Sequence, residues 1–142
     1  MPVRARAYAT LLIVLSLAFA ACSKAAPPAG ETAQAVRVTD VNLGRTLNAD
    51  KTVGDSTDSF RPADTVYASV VTDGSSSNAT LKARWTYQDG QVVEESVQTI
   101  APTGKATTEF HISKPDGWPA GKYKVEVSLN GVAANTKDFE VK

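Results

Sequence analysis

Leu81-Lys82-Ala83-Arg84-Trp85-Thr86-Tyr87 is the stretch that decides the fold. Leu81, Ala83, Trp85 and Tyr87 alternate with Lys82, Arg84 and Thr86, so apolar and polar side chains repeat with a period of two. Such alternation marks a β-strand with one face on a core and the other in water.

The same period recurs on both sides of this strand. Val66, Ala68 and Val70 alternate with Tyr67, Ser69 and Val71, and Thr108, Phe110 and Ile112 alternate with Glu109 and His111. Tyr123, Val125, Val127 and Leu129 alternate with Lys122, Lys124, Glu126 and Ser128. Turn dipeptides punctuate the chain at Asp73-Gly74, Asp89-Gly90, Thr103-Gly104, Asp116-Gly117 and Asn130-Gly131. No helical repeat is sustained after residue 35. The pattern predicts seven strands, at 35–43, 64–72, 79–87, 91–100, 106–112, 121–129 and 132–141. Residues 44–63, with Leu47, Val53 and Phe60 among polar neighbours, read as a long connection between sheets with room for one short extra strand.

Register decides which side chains are buried. A three-residue loop Gln88-Asp89-Gly90 pairs Tyr87 with Gln91, Trp85 with Val93 and Leu81 with Val97, which unites the apolar side chains on one face. A two-residue Asp89-Gly90 turn would instead set Trp85 against Glu94. By the same test, a loop Leu129-Asn130-Gly131 sets Phe139 and Val141 on the face of Tyr123 and Val125. Three-residue loops are therefore expected at both hairpins.

The chain from about 35 to 142 resembles the immunoglobulin and fibronectin type III superfamily. Trp85 lies mid-chain on an alternating strand, and Pro119-Ala120-Gly121-Lys122-Tyr123-Lys124-Val125 is similar to the tyrosine corner of those domains. The closing pattern, from Gly121-Lys122-Tyr123 through Asn130-Gly131 to Phe139-Glu140-Val141, is similar to the last hairpin of bacterial Ig-like modules. The resemblance implies an all-β fold, a single antiparallel Ig-like β-sandwich of seven strands over 35–142. It also implies a Tyr123 hydroxyl bonded back to backbone, and the surface binding or spacing roles found in many relatives. The inter-sheet disulfide of antibody domains is missing, as in most bacterial relatives.

The first residues read as an address. Arg4 and Arg6 precede an apolar run from Leu11 to Phe19, and Ala20 and Ala21 follow it. A basic start, a short apolar middle and a small-residue end make a secretory signal, too short for the roughly 20 residues of a membrane-spanning helix. Phe19-Ala20-Ala21-Cys22 resembles the lipobox of bacterial lipoproteins, with Phe19 where Leu is usual. That resemblance implies a diacylglyceryl group on the Cys22 thiol, cleavage before Cys22 and acylation of the new amino terminus. Ser23 stands where inner-membrane retention usually shows Asp, which implies the outer membrane, facing the periplasm. Two or more acyl chains hold a protein stably at about 0.8 kcal/mol per buried methylene. Residues 1–21 are therefore expected as signal peptide and 22–34 as lipidated Cys and flexible linker. Removing 21 of the 142 residues, Arg4 and Arg6 among them, leaves 13 basic against 15 acidic side chains. A net charge of −2 does not draw the chain to anionic lipid, so the lipid must do the holding.

Composition narrows the chemistry. The full chain carries 15 basic and 15 acidic residues, one His and one Cys, and 42% hydrophobic residues are enough for a core. Zero net charge leaves no footprint for nucleic acid. One Cys and one His exclude an internal disulfide and a Cys/His zinc site. His111 points to solvent beside Glu109, and no spacing nominates a nucleophile for it. Asp50, Asp55, Asp58 and Asp64 lack the spaced ligands of a calcium loop and read as solvated acids. Lys82 and Arg84 beside Glu94 and Glu95 read as a charged outer face. No cofactor and no enzymatic constellation is expected.

The candidate contact residues lie on loops. Trp118, in Asp116-Gly117-Trp118-Pro119, is either a contact residue or a plug for the open end of the sandwich beside Tyr123; the plug is the commoner state of a large aromatic. Ser76 and Asn78, in Ser75-Ser76-Ser77-Asn78, mark a flexible tip between two strands. These features predict a lipid-anchored envelope protein whose Ig-like module binds another protein or a polymer. The alternative is a periplasmic inhibitor or regulator of an envelope enzyme, which needs an exposed, rigid, apolar loop tip around Trp118.

Overall fold

The computed structural model describes residues 34–142. Cys22, the lipobox, the signal segment and the linker up to residue 33 lie outside the described residues. Eight strands form, β1 (Arg37–Gly44), β2 (Ser59–Phe60), β3 (Val66–Asp73), β4 (Ala79–Tyr87), β5 (Gln91–Ile100), β6 (Ala106–Ile112), β7 (Gly121–Leu129) and β8 (Val132–Val141). They build a three-stranded sheet, β1-β3-β6, and a five-stranded sheet, β2-β8-β7-β4-β5. Every pairing is antiparallel except β2 with β8. The expected sandwich is present. Its extra strand is the two residues of β2, where Ser59 and Phe60 pair with Glu140 and Val141.

The inward faces carry the core. Val41, Val66, Ala68, Val70, Leu81, Ala83, Trp85, Val125 and Val127 are fully buried, at the period of two that the sequence shows. An aromatic group closes one end: Phe139 stacks on Tyr123 at 5.3 Å between ring centroids and meets Trp85 and Phe60 edge-on at 5.9 and 5.4 Å. These offset and edge-to-face contacts suit the ring quadrupoles. The buried Trp85 Nε1 has no hydrogen-bond partner, so this indole contributes through packing alone.

Both hairpins correct the expected register. At the first, the loop is Gln88-Asp89-Gly90 and Tyr87 faces Gln91, as the face argument requires. A bulge then intervenes at Val93, so Trp85 faces Glu94, Leu81 faces Gln98 and Val97 faces Lys82. Val97 is thereby turned outward and is 58% exposed. Glu94, Ser96 and Gln98 take the inward positions instead. The reason is the bulge itself: one extra residue at Val93 reverses the parity of the positions after it, and β5, at the edge of the larger sheet, keeps Val93 and Ile100 as partly buried contacts with the core. Its link to the smaller sheet is polar, the Gln98 side-chain amide donating to the Glu109 carbonyl of β6 at 2.6 Å. At the second hairpin the turn has two residues, with Leu129 facing Val132. Asn130 and Gly131 both take positive φ (51° and 82°), the conformation for which Asn-Gly is favoured. A bulge beyond Ser128 restores the parity, so Phe139 still falls opposite Tyr123 and Val141 opposite Gly121.

The connection from β1 to β3 is ordered by its own small hairpin. Leu47 bridges Val53 and Gly44 bridges Ser56. Gly44 permits the close return, since a Cβ there would lie 2.5 Å from the Asp55 carbonyl oxygen and 2.8 Å from Val53 Cβ. The tip reaches β3, where the buried Ser69 hydroxyl donates to the Lys51 carbonyl at 2.9 Å. Arg45 fastens the rest. Its guanidinium donates to Asp64 at 3.0 Å, to Asp55 at 3.2 Å and to the Ser59 carbonyl at 2.6 Å, and lies 5.9 Å from the centroid of the Phe60 ring. Two of the four loop acids are thus partners of one arginine.

Candidate functional site

The strand directions give the sandwich two unlike ends. The chain enters at one of them: the Ser75 amide donates to the Gln34 carbonyl at 2.8 Å, and Ala35 bridges Ser75. Gly74, at φ 110°, makes room for this entry, because a Cβ there would lie 2.6 Å from the Gln34 and Ala35 carbonyl oxygens. Ser76 and Asn78 belong to this same end. Their loop is tied down rather than a loose tip: Ser76 N–H donates to the Pro102 carbonyl at 3.0 Å and Asn78 N–H to the Ser76 hydroxyl at 3.2 Å.

The opposite end, reached by running down β4, holds a cleft of about 440 Å³. Tyr87 and the start of β5 (Gln91, Val92, Val93 and Glu94) form one wall. The connection from β6 to β7 forms the other, through Ser113, Lys114, Pro115, Trp118 and Pro119, with Tyr123 lining it as well. Trp118 is buried at 6% exposure and acts as the plug. Its Nε1 donates to the Asp64 carbonyl at 3.0 Å, and its ring meets Tyr123 edge-on at 6.1 Å. The residue weighed as a contact therefore builds the cleft from behind, while Val92, 47% exposed, stands at its mouth.

Tyr123 and Tyr87 fix the cleft's shape. The Tyr123 hydroxyl donates to the Pro119 carbonyl at 2.7 Å, the bond that the tyrosine-corner resemblance implies. The Tyr87 hydroxyl donates to the Ala120 carbonyl at 2.9 Å, and the two rings lie 4.6 Å apart. Burial, with the neighbouring Tyr87 adding to it, raises the Tyr123 pKa above the ordinary phenol value. The cleft is thus a rigid aromatic and proline-lined recess with one carboxylate, Glu94, and one amine, Lys114, among its lining residues.

The other singled-out groups lie elsewhere. His111 is on the outward face of β6, its Nδ1 against the Glu109 carboxylate and its ring 5.6 Å from that of Tyr67. Among the described residues no group of three or more His, Cys, Asp or Glu side chains is placed to hold a metal ion. On the outer face of the large sheet Glu95 meets Lys82 at 3.5 Å and Arg84 at 3.9 Å, whereas Glu94 has turned to the inward side. Asp50 accepts from the Thr52 hydroxyl at 2.6 Å and the Thr52 N–H at 3.0 Å, which lowers its pKa. The cleft and the Arg45 cluster escaped sequence reasoning, since their members come from segments far apart in the chain.

No protein-family model matches the chain, and no curated protein matches it. Solved structures share its fold. An immunoglobulin-like protein from Pseudomonas aeruginosa is 13% identical with a TM-score of 0.51, over 79% of this chain and 100% of that one. An alkylpurine DNA glycosylase from Pseudomonas fluorescens, bound to DNA containing an abasic-site analog, is 12% identical with a TM-score of 0.50. That match covers 75% of this chain and spans only 30% of the glycosylase. The CARDB domain of a Pyrococcus furiosus protein, in complex with di-metal ions, is similar at a TM-score of 0.46 and 10% identity, over 75% and 85% of the two chains. At such identities the likeness is one of fold. The chain carries an all-β, Ig-like sandwich module.

Proposed function

We propose that this chain is a lipid-anchored protein of the bacterial cell envelope, held through acyl chains on Cys22 at the periplasmic face of the outer membrane. Its Ig-like module binds an envelope protein or polymer without catalysing a reaction. One observation carries the reading. The chain enters the sandwich beside Ser75, and the aromatic cleft lies at the opposite end. A tether running from Gln34 to a membrane therefore leaves the cleft distal, where a partner can reach it. Residues 23–34 extend this reach by roughly 30–40 Å at about 3.1 Å per residue in an extended form. The non-catalytic part of the reading is supported by the cleft's lining, in which a lone carboxylate and a lone amine accompany apolar walls. The burial of Trp118 favours a concave binding end over an inhibitory loop tip.

Energy transfer to the membrane tests the orientation. A fluorophore is placed on Asn78→Cys or on Asp89→Cys of the full lipidated chain in vesicles that contain acceptor lipids. The nine residues of β4 separate the two sites by about 30 Å at roughly 3.3 Å each. The expected result is clearly stronger transfer from position 78. Equal transfer, or stronger transfer from position 89, contradicts the reading.

A further inference from the structure

We propose that the outer edge of β5 accepts an extended basic polypeptide strand from another protein, which pairs with it through main-chain hydrogen bonds beside the cleft. This rests on the reading of that end as the binding end and names the chemistry of its partner. β5 is the last strand of the five-stranded sheet, so alternate N–H and C=O groups along it point away from β4 without a strand to receive them. Ten residues long, it has most of its side chains exposed on both faces. Long edges of this kind are usually blunted by Lys, by Pro, by a bulge, by an inward-pointing charge or by shortness. β5 carries two of these at its start, the bulge at Val93 and the inward Glu94, while residues 95–100 run on without a bulge, Lys, Arg or Pro. The opposite edge of the same sheet shows the contrast, for β2 has only two residues.

Charge selects the occupant. Glu94 and Glu95 are the charged residues of β5, and both are acidic. Glu95 is shared by Lys82 and Arg84 of the neighbouring strand, whereas Glu94 has no cation within 4.0 Å among the described residues. A second copy of this chain is a poor occupant. With the bulge at Val93 counted, the antiparallel register that matches Val92 with Val97 of the copy sets Glu95 against the copy's own Glu95 on the outer face. A strand in which Lys or Arg alternates with Val or Ile avoids that clash and fits both faces of the edge. Its basic side chains, all on the inward side, meet Glu94, and its apolar ones, on the outer side, cover Val92 and Val97, which are 47% and 58% exposed. Main-chain pairing then gives affinity and the alternating side chains give specificity.

The test uses the full chain purified in a neutral detergent and two end-blocked fluorescent peptides, Thr-Val-Lys-Val-Lys-Val-Thr and Thr-Val-Glu-Val-Glu-Val-Thr. Fluorescence anisotropy reads binding and hydrogen–deuterium exchange locates it. The expected result is binding of the lysine peptide, about tenfold weaker binding of the glutamate peptide, and new amide protection confined to 91–100. Glu94→Lys, at an exposed position, is expected to narrow or invert the preference while β4 and β7 keep their protection. Equal binding of the two peptides, protection elsewhere, absence of binding at millimolar peptide, or concentration-dependent dimers joined through 91–100 would each overturn the proposal. Membrane attachment does not enter this readout, so a failed orientation is seen by energy transfer and a failed edge by exchange.

Discussion

Tyr123 shows at the scale of one residue how sequence, packing and the cleft are joined. Its place early in β7 sends the ring inward between Phe139, Trp118 and Tyr87, and its hydroxyl closes the loop that begins at Pro119. Tyr123→Phe keeps the ring and removes the hydrogen bond, so it is expected to lower stability by about 1 kcal/mol in urea unfolding. The pH dependence has a definite sign. A phenol whose folded pKa is raised keeps its full contribution below about pH 10 and loses it as the pH rises toward and through the folded pKa, because the unfolded chain releases its proton first. The wild-type urea midpoint should therefore fall between about pH 9 and 11, and Tyr123→Phe should flatten that limb. An equally steep fall in the variant would assign the alkaline loss to another group.

At the scale of elements, β4, β6 and β7 were legible because each is covered mainly on one face, and the alternation of side chains records it; β3 shows the same alternation although the connection from β1 also buries Ser69 on its outer face. β5 was not. Its register depends on one extra residue at Val93, and no local feature distinguishes Val93 from its neighbours as the bulge. The Asn130-Gly131 turn was visible as a dipeptide, but the compensating bulge beyond Ser128 hid its length from an argument based on faces. The Arg45 cluster could not be read at all. Arg45 reaches Asp55, Ser59 and Asp64, ten to nineteen positions away, through a loop with no repeat to follow. Its function can be tested on the element it fastens. In Arg45→Ala, amides of residues 53–60 should exchange about tenfold faster while those of β4 and β7 keep their rates. Uniformly faster exchange would mean that Arg45 supports the whole sandwich and not this connection.

At the scale of the whole molecule, two ends of one sandwich take different tasks. The entry end is closed by backbone hydrogen bonds between residues 34, 74–76, 102 and 104. The far end is filled by aromatic side chains, carries the cleft on its surface and is flanked by an acidic edge strand. That polarity was not legible in the sequence, which nominated Ser76 and Asn78 alongside Trp118 without separating the ends. It acquires meaning only if the entry end is the anchored one, and that depends on the chemistry of Cys22. The mass of the amino-terminal peptide of the mature protein, isolated from bacterial envelopes, settles this. The expected peptide begins at Cys22 and carries a diacylglyceryl thioether with an acylated amino group, in a mature chain of 121 of the 142 residues. A peptide that retains residues before Cys22, or one with an unmodified thiol, would contradict it.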